Sequence, residues 1–233
     1  MKNTFSRYKN SIAYAQQNEP NKSYIQILFE KINWKIRSKY DAFRSTLLKD
    51  STFVEAEDLY MCSLFPVKII DEILYEFCPK SILDVGCGTG VSLQYFLQKN
   101  IDAIGVENSR LAIRKSAVCE RIIRHNLKKK LNLNRKFDLV WSFEVIEHIH
   151  PKFEATYLAT LIRHGDRVII SAARPGQGGH GHFNEQLPEY WIKRFSDLKF
   201  QLNHKMTERL RNISETHADN LLVFEKRVFN IHG

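Results

Sequence analysis

The sequence predicts an α/β fold, a doubly wound, mostly parallel seven-stranded sheet preceded by a helical cap. Three observations predict it. From about residue 66 onward, short apolar runs alternate with segments of helical periodicity, the pattern of a parallel sheet with helices on both faces. One run, Ser81-Ile82-Leu83-Asp84-Val85, passes straight into the glycine-crowded turn Gly86-Cys87-Gly88-Thr89-Gly90. An acid, Glu107, closes the next apolar run, Ala103-Ile104-Gly105-Val106-Glu107, 21 positions after Gly86. A ribose-binding carboxylate belongs there in a nucleotide-type α/β fold.

Residues 1–65 read as a helical cap, with Ile25, Leu28, Phe29, Ile32 and Ile36 recurring on one face and Trp34, Tyr40 and Phe43 adding aromatic surface. Residues 66–233 read as the second unit, which carries the glycine turn. Pro66 opens a helix with Val67, Ile70, Ile73, Leu74 and Phe77 on its apolar face, and Pro79 ends it. There follow a strand over 82–85, a helix over 93–97, a strand over 103–107 and a helix over 109–118. Strands over 121–125 and 137–143, a helix over 153–163 and a strand over 167–173 come next. A last helix spans 188–196, and two strands, 200–206 and 221–228, follow with no clear helix between them.

With 43% hydrophobic and 12% aromatic residues, the 233-residue chain is globular rather than disordered. The start of the chain is polar, and no apolar run approaches the roughly 18 residues that cross a bilayer. A cytoplasmic protein without a membrane partner is expected. Cys62, Cys78, Cys87 and Cys119 show no C-x-x-C spacing and read as reduced core filler, neither metal ligands nor disulfides. The net charge of +9 is clustered: residues 1–50 hold 10 basic against 4 acidic side chains, and residues 110–136 hold 10 basic against Glu120 alone. Such clusters suit a polyanionic partner, yet Lys128-Lys129-Lys130 suits a solvated loop as well.

Dinucleotide enzymes space their glycines G-x-G-x-x-G. Here the third glycine comes one residue early, and Val91 stands where theirs would be, which disfavours a pyrophosphate cradle. Asp84-Val85-Gly86-Cys87-Gly88-Thr89-Gly90 instead resembles the D-x-G-x-G-x-G signature of class I S-adenosylmethionine (SAM) methyltransferases. That resemblance implies SAM as cofactor, held by Asp84, Gly86, Cys87, Gly88, Gly90, Glu107 and Asn108, and a final antiparallel pair of strands. Asn126-Leu127 falls where the family has an Asp-Leu pair touching adenine, and Phe143 closes the fourth strand at the cofactor edge.

After Phe143 the chain reads Glu144-Val145-Ile146-Glu147-His148-Ile149-His150. On one helical turn, E-x-x-E-H places residues i, i+3 and i+4 on a shared face. Two carboxylates and an imidazole can then share one divalent ion. The arrangement resembles metal-dependent O-methyltransferases, among them small-RNA 2′-O-methyltransferases that take another His from a downstream loop. His180-Gly181-His182 offers such a histidine. Oxygen-rich ligation by Glu144, Glu147, His148 and His182 suits Mg²⁺ or Mn²⁺ better than zinc; without a metal, His148 is a general base or positions the substrate.

The loop Ser171–Gln186, with Tyr190-Trp191 beyond it, resembles a bacterial group of class I methyltransferases sharing S-A-A-x-P-G-Q-G-G-x-G-H-x-N-E-Q and Y-W. That wording is silent on substrate. The expectation is O-methylation of a small-molecule or sugar hydroxyl, with Glu144, Glu147, His148 and His182 as catalytic residues. RNA 2′-O-methylation is the enzymatic alternative, and a non-catalytic SAM-binding protein the alternative of another class.

Overall fold

The computed structural model describes residues 66–179, 181–214 and 218–227. The expected helical cap and His180 lie outside them. Helix α1 (Val67–Phe77) leads into β1 (Ser81–Val85), α2 (Val91–Gln98), β2 (Asp102–Glu107), α3 (Arg110–Lys115), β3 (Ile122–Arg124) and β4 (Leu139–Ser142). Then come α4 (Pro151–His164), β5 (Arg167–Ser171), α5 (Pro188–Asp197), β6 (Phe200–Leu202), α6 (His204–Ile213) and β7 (Leu221–Lys226).

The seven strands form one sheet in the order β3-β2-β1-β4-β5-β7-β6. The first five are parallel, with Leu83 opposite both Ile104 and Val140. β7 runs antiparallel to both β5 and β6. The sheet is therefore mixed, parallel over most of its width. Its strand order reverses between β1 and β4, and ligands of such sheets bind at the carboxyl ends of strands beside that point.

Alternation along the strands fills two layers. Leu83, Val85, Val140, Val168 and Ile170 face α4 and α5, which contribute Tyr157, Leu158, Leu161, Trp191 and Phe195. Ile82, Leu139, Trp141 and Ile169 face α1, α2 and α6. Each fully buried aliphatic side chain contributes about 1.5–3 kcal/mol, so a Leu158→Ala cavity between α4 and the sheet costs about 2–5 kcal/mol. On α1 the buried face is Ile69, Ile70 and Ile73, whereas Val67, expected inside, is exposed.

The segment expected to be two strands without an intervening helix contains one. β6 stops at Leu202, the Asn203 side chain caps the next turn by accepting from Met206 N at 3.0 Å, and α6 follows. Met206, Thr207 and Leu210 are its buried face, a one-face spacing that a β reading of Phe200 to Met206 cut short. The antiparallel pairing of β6 and β7 survives, joined by a helix rather than a tight turn. Of the cysteines, Cys87 is buried core filler, but Cys78 and Cys119 are exposed; Cys62 lies outside the described residues. Among the described residues, no helix is long and apolar enough to cross a membrane.

Candidate active site

Three glycines after β1 adopt left-handed backbone, Gly86 at φ 82, Gly88 at φ 57 and Gly90 at φ 76, a region that penalises any residue with a Cβ. Space at Gly86 is closed as well, because a Cβ there would come within 2.6 Å of Val145 Cγ2. The glycine turn thereby packs directly on the segment that follows β4. Cys87 turns its side chain inward, against Gly105, where a Cβ would meet its Sγ at 2.6 Å. Only the Cys87 backbone is left to serve a ligand.

Two carboxylates frame this turn. Glu107 Oε2 accepts from Gly88 N at 3.0 Å, and Oε1 accepts from Asn108 N and Ser109 N, both at 2.7 Å. Burial raises its pKa above the ordinary value, and those three N–H donors oppose the rise. Two carboxylate oxygens offer about four lone-pair sites, so one acceptor position remains for a ribose hydroxyl. Asp84 is buried, and its Oδ2 has no hydrogen-bond partner. Burial first and the Glu107 charge second push its carboxyl up to about 8. An orphaned buried carboxylate beside bare backbone fits a cationic ligand group such as an ammonium.

Asn126 and Leu127 follow β3. The Asn126 Oδ1 accepts from Lys128 N at 2.9 Å and so shapes its own turn, while Leu127 is buried among Val145, Ile146 and Ile149. Phe143 stacks on Trp141, with ring centroids 5.2 Å apart and planes 6° apart, and packs with the layer of α1, α2 and α6.

The expected helical turn at 144–148 is shorter and tighter. Glu144 is left-handed, with φ 53, and only Ile146–His148 form a 3₁₀ turn. Glu144 is thus displaced from the shared face. Its Oε1 accepts from Ser171 Oγ and, at 3.2 Å, from Asn220 Nδ2, which also donates to Gln177 Oε1 at 3.0 Å. The group that converges is Glu147, His148 and His182, with one ligand atom of each within 4.8 Å of the others. Glu144 is not in it.

Glu147 is fully buried, and neither carboxylate oxygen receives a hydrogen bond. Burial first and the adjacent Glu144 charge second hold its pKa well above the ordinary range. Its backbone carbonyl accepts from Phe183 N at 2.8 Å and Asn184 N at 3.0 Å, which carries the downstream loop to the 3₁₀ turn. His148 and His182 meet edge to face, 4.8 Å between ring centroids. His148 Nδ1 lies 3.3 Å from Gly181 O and His182 Nδ1 3.0 Å from Glu185 Oε1. Both partners only accept, so each Nδ1 carries a proton, and in the neutral form of either ring the lone pair is on Nε2.

Glu185 went unassigned from sequence. It accepts from Gly176 N at 2.8 Å, Gly178 N at 2.7 Å and His182, folding the loop onto one carboxylate. Burial raises its pKa, but the His182 contact and the two backbone donors outweigh that, and the net shift is downward. Its only sequence signal was a place in a glycine-rich polar loop. Glu154 of α4, a buried acid, anchors the far end of the loop through Asn184 at 3.1 Å, Tyr190 at 2.8 Å and Arg194 at 2.6 Å.

A seven-stranded sheet with glycine turn, acid and polar cluster at one carboxyl edge defines the architecture of a class I SAM-dependent methyltransferase. The methyltransferase domain family model matches residues 60–214, and the chain belongs to that family. No curated protein matches the sequence. Solved structures share the fold at low identity. The 1,6-didemethyltoxoflavin N1-methyltransferase of Burkholderia thailandensis is 17% identical, with 82% of this chain and 91% of that chain covered and a TM-score of 0.58. The sugar N-methyltransferase KedS8 of Streptoalloteichus is 17% identical over 81% of this chain and 93% of that one, at 0.54. A small RNA methyltransferase is 14% identical over 70% of this chain and 25% of that one, at 0.52.

Proposed function

We propose that the protein transfers the methyl group of SAM to a hydroxyl of a small molecule or sugar, in one in-line displacement at the edge where β1, β4 and β5 end. The cofactor residues are Asp84, Gly86, Cys87, Gly88, Gly90, Glu107, Asn108, Asn126, Leu127 and Phe143. Glu107 takes a ribose hydroxyl, and the orphaned Asp84 carboxylate balances the positive charge of the cofactor. The sulfonium already activates the methyl, so the protein's tasks are alignment and removal of the acceptor proton.

The observation that carries the hydroxyl assignment is the convergence of Glu147, His148 and His182 next to the glycine turn. A hydroxyl gives up its proton reluctantly at neutral pH, whereas an amine acceptor needs less help. His148, its Nδ1 proton directed at Gly181 O, presents Nε2 as the base. The fold alone does not choose between oxygen and nitrogen, since N-methyltransferases share it.

The same three residues fit a divalent cation. Two imidazole nitrogens and a buried carboxylate without donors are a chemically suitable partial set for Mg²⁺ or Mn²⁺, leaving positions for water and acceptor. Glu144, held by Ser171 and Asn220, stays outside that set, and its like charge disfavours the ionised form of Glu147, a repulsion that a bound cation would relieve. When bound, the ion would lower the pKa of the acceptor hydroxyl as a Lewis acid. RNA 2′-O-methylation is the second reading, favoured by this cluster and the basic segment over 110–136. Calorimetry with SAM and its demethylated product tests the cofactor assignment. No heat with either would remove the enzymatic reading in favour of a different ligand.

A further inference from the structure

We infer that Lys128 and Lys152, both over the ring of Phe153, form a subsite for an anionic group, a phosphate or a carboxylate, on a small acceptor. This rests on the methyl-transfer reading only for calling the ligand an acceptor. Lys128 Nζ lies 5.7 Å and Lys152 Nζ 4.8 Å from the centroid of the same ring. Neither ammonium has a carboxylate partner among the described residues.

Lys128 also differs from its neighbours. Lys129 and Lys130 are exposed, while Lys128 is half-buried against the ring. Burial and the like charge of Lys152 hold its pKa below the ordinary lysine range. Two unneutralised cations kept together, one of them partly desolvated, are relieved by an anion between them.

The pair sits on the rim of the candidate active site. His150, two residues beyond His148, has its ring 6.5 Å from Phe153 and 6.2 Å from Phe183. Phe183 follows His182 and donates its backbone N–H to Glu147 O at 2.8 Å. His150 Nδ1 accepts from Lys152 N at 3.2 Å, so its proton is on Nε2, a further donor on the rim. An acceptor anchored there by its anion and stacked on an aromatic face would extend toward His148 and His182.

The probes are phenyl phosphate, benzoate and neutral benzyl alcohol, titrated by NMR into the full chain saturated with S-adenosylhomocysteine. The expected result is that an anionic probe binds at least tenfold more tightly than benzyl alcohol. Lys128→Met and Lys152→Met should each weaken it by about tenfold, the loss of one charge-assisted contact, and Lys128→Arg should retain it. Lys152 is exposed, so its variant does not risk the fold. Preference for phenyl phosphate or for benzoate identifies which anion the subsite takes, and either supports it. Equal binding of charged and neutral probes, or variants that bind as the wild type does, would overturn it. So would submicromolar binding of a short single-stranded RNA that displaces the anionic probe through the same lysines. S-adenosylhomocysteine affinity, measured in the same samples, separates failure of this subsite from failure of the cofactor assignment.

Discussion

Glu107 Oε2 accepts the Gly88 backbone N–H at 3.0 Å, tying the acid at the end of β2 to the turn at the end of β1. The carboxylate is thus both a candidate ribose ligand and a brace for the glycine turn. Glu107→Ala removes the acceptor of three backbone N–H groups together with the hydroxyl contact. A loss of about 1.5–3 kcal/mol in SAM binding is expected, roughly 10- to 150-fold in Kd. Calorimetry on the variant checks it, and unchanged affinity would place the ribose elsewhere.

Asp84 gives a pH signature. Its carboxyl, pushed up to about 8 from the ordinary 3.8, binds its proton more tightly in the folded chain than in the unfolded one. Stability contributed by that proton is complete below about 3.8, falls as pH rises toward 8, and then levels off. A bound sulfonium and ammonium favour the ionised form, so SAM binding at pH 7 should expel a proton and tighten as pH rises to about 8. Binding heats in buffers of different ionisation enthalpy measure the release. Asp84→Asn should abolish it, and a buffer-independent heat in the wild type would refute the linkage.

The glycine turn, Glu107 and the strand-helix alternation were legible because each is a local pattern with a local cause. α6 was not, because Phe200 to Met206 carries enough apolar residues to read as one strand, and only the Asn203 cap divides it. The site was partly legible. His148 and His182 are 34 residues apart in sequence, and their meeting depends on Glu147 O receiving Phe183 N and Asn184 N, which no periodicity reveals. Glu144 was placed on a helical face that its positive φ forbids. Ser171, Asn220 and Glu185 take their roles from contacts across the sheet edge or across a loop, so sequence offered no spacing by which to find them.

His164 links α4 to the loop before β4. Its Nδ1 lies 2.7 Å from Thr160 O, and its Nε2 accepts from Leu133 N at 3.0 Å, so the folded state needs the neutral ring. Burial lowers its pKa from 6.5, against the Thr160 bond. The contribution is complete above 6.5 and is lost as pH falls through the depressed folded value. His164→Phe should cost about 1–3 kcal/mol by orphaning Leu133 N–H and should flatten the acid limb of a urea-denaturation series between pH 7 and pH 5. An acid limb identical to that of the wild type would assign the sensitivity to other groups.

Gly179 tests the active-site cluster without removing a polar side chain. A Cβ at this position would come within 2.2 Å of His182 Nε2 and 2.4 Å of its Cε1, so Gly179→Ala must displace the imidazole from its present place beside His148. If His182 contributes to methyl transfer, Gly179→Ala and His182→Ala should lower kcat/KM to a similar degree, while S-adenosylhomocysteine binding stays within about twofold of the wild type. His148→Ala should lose more, roughly 10²–10⁴-fold, as expected for a general base. If the cluster holds Mg²⁺ or Mn²⁺, chelation should abolish turnover of the wild type and either ion should restore it, with cofactor binding preserved throughout. Full turnover in excess EDTA would leave His148 as the base and confine His182 to holding the loop, and Gly179→Ala would then reduce activity only through acceptor affinity.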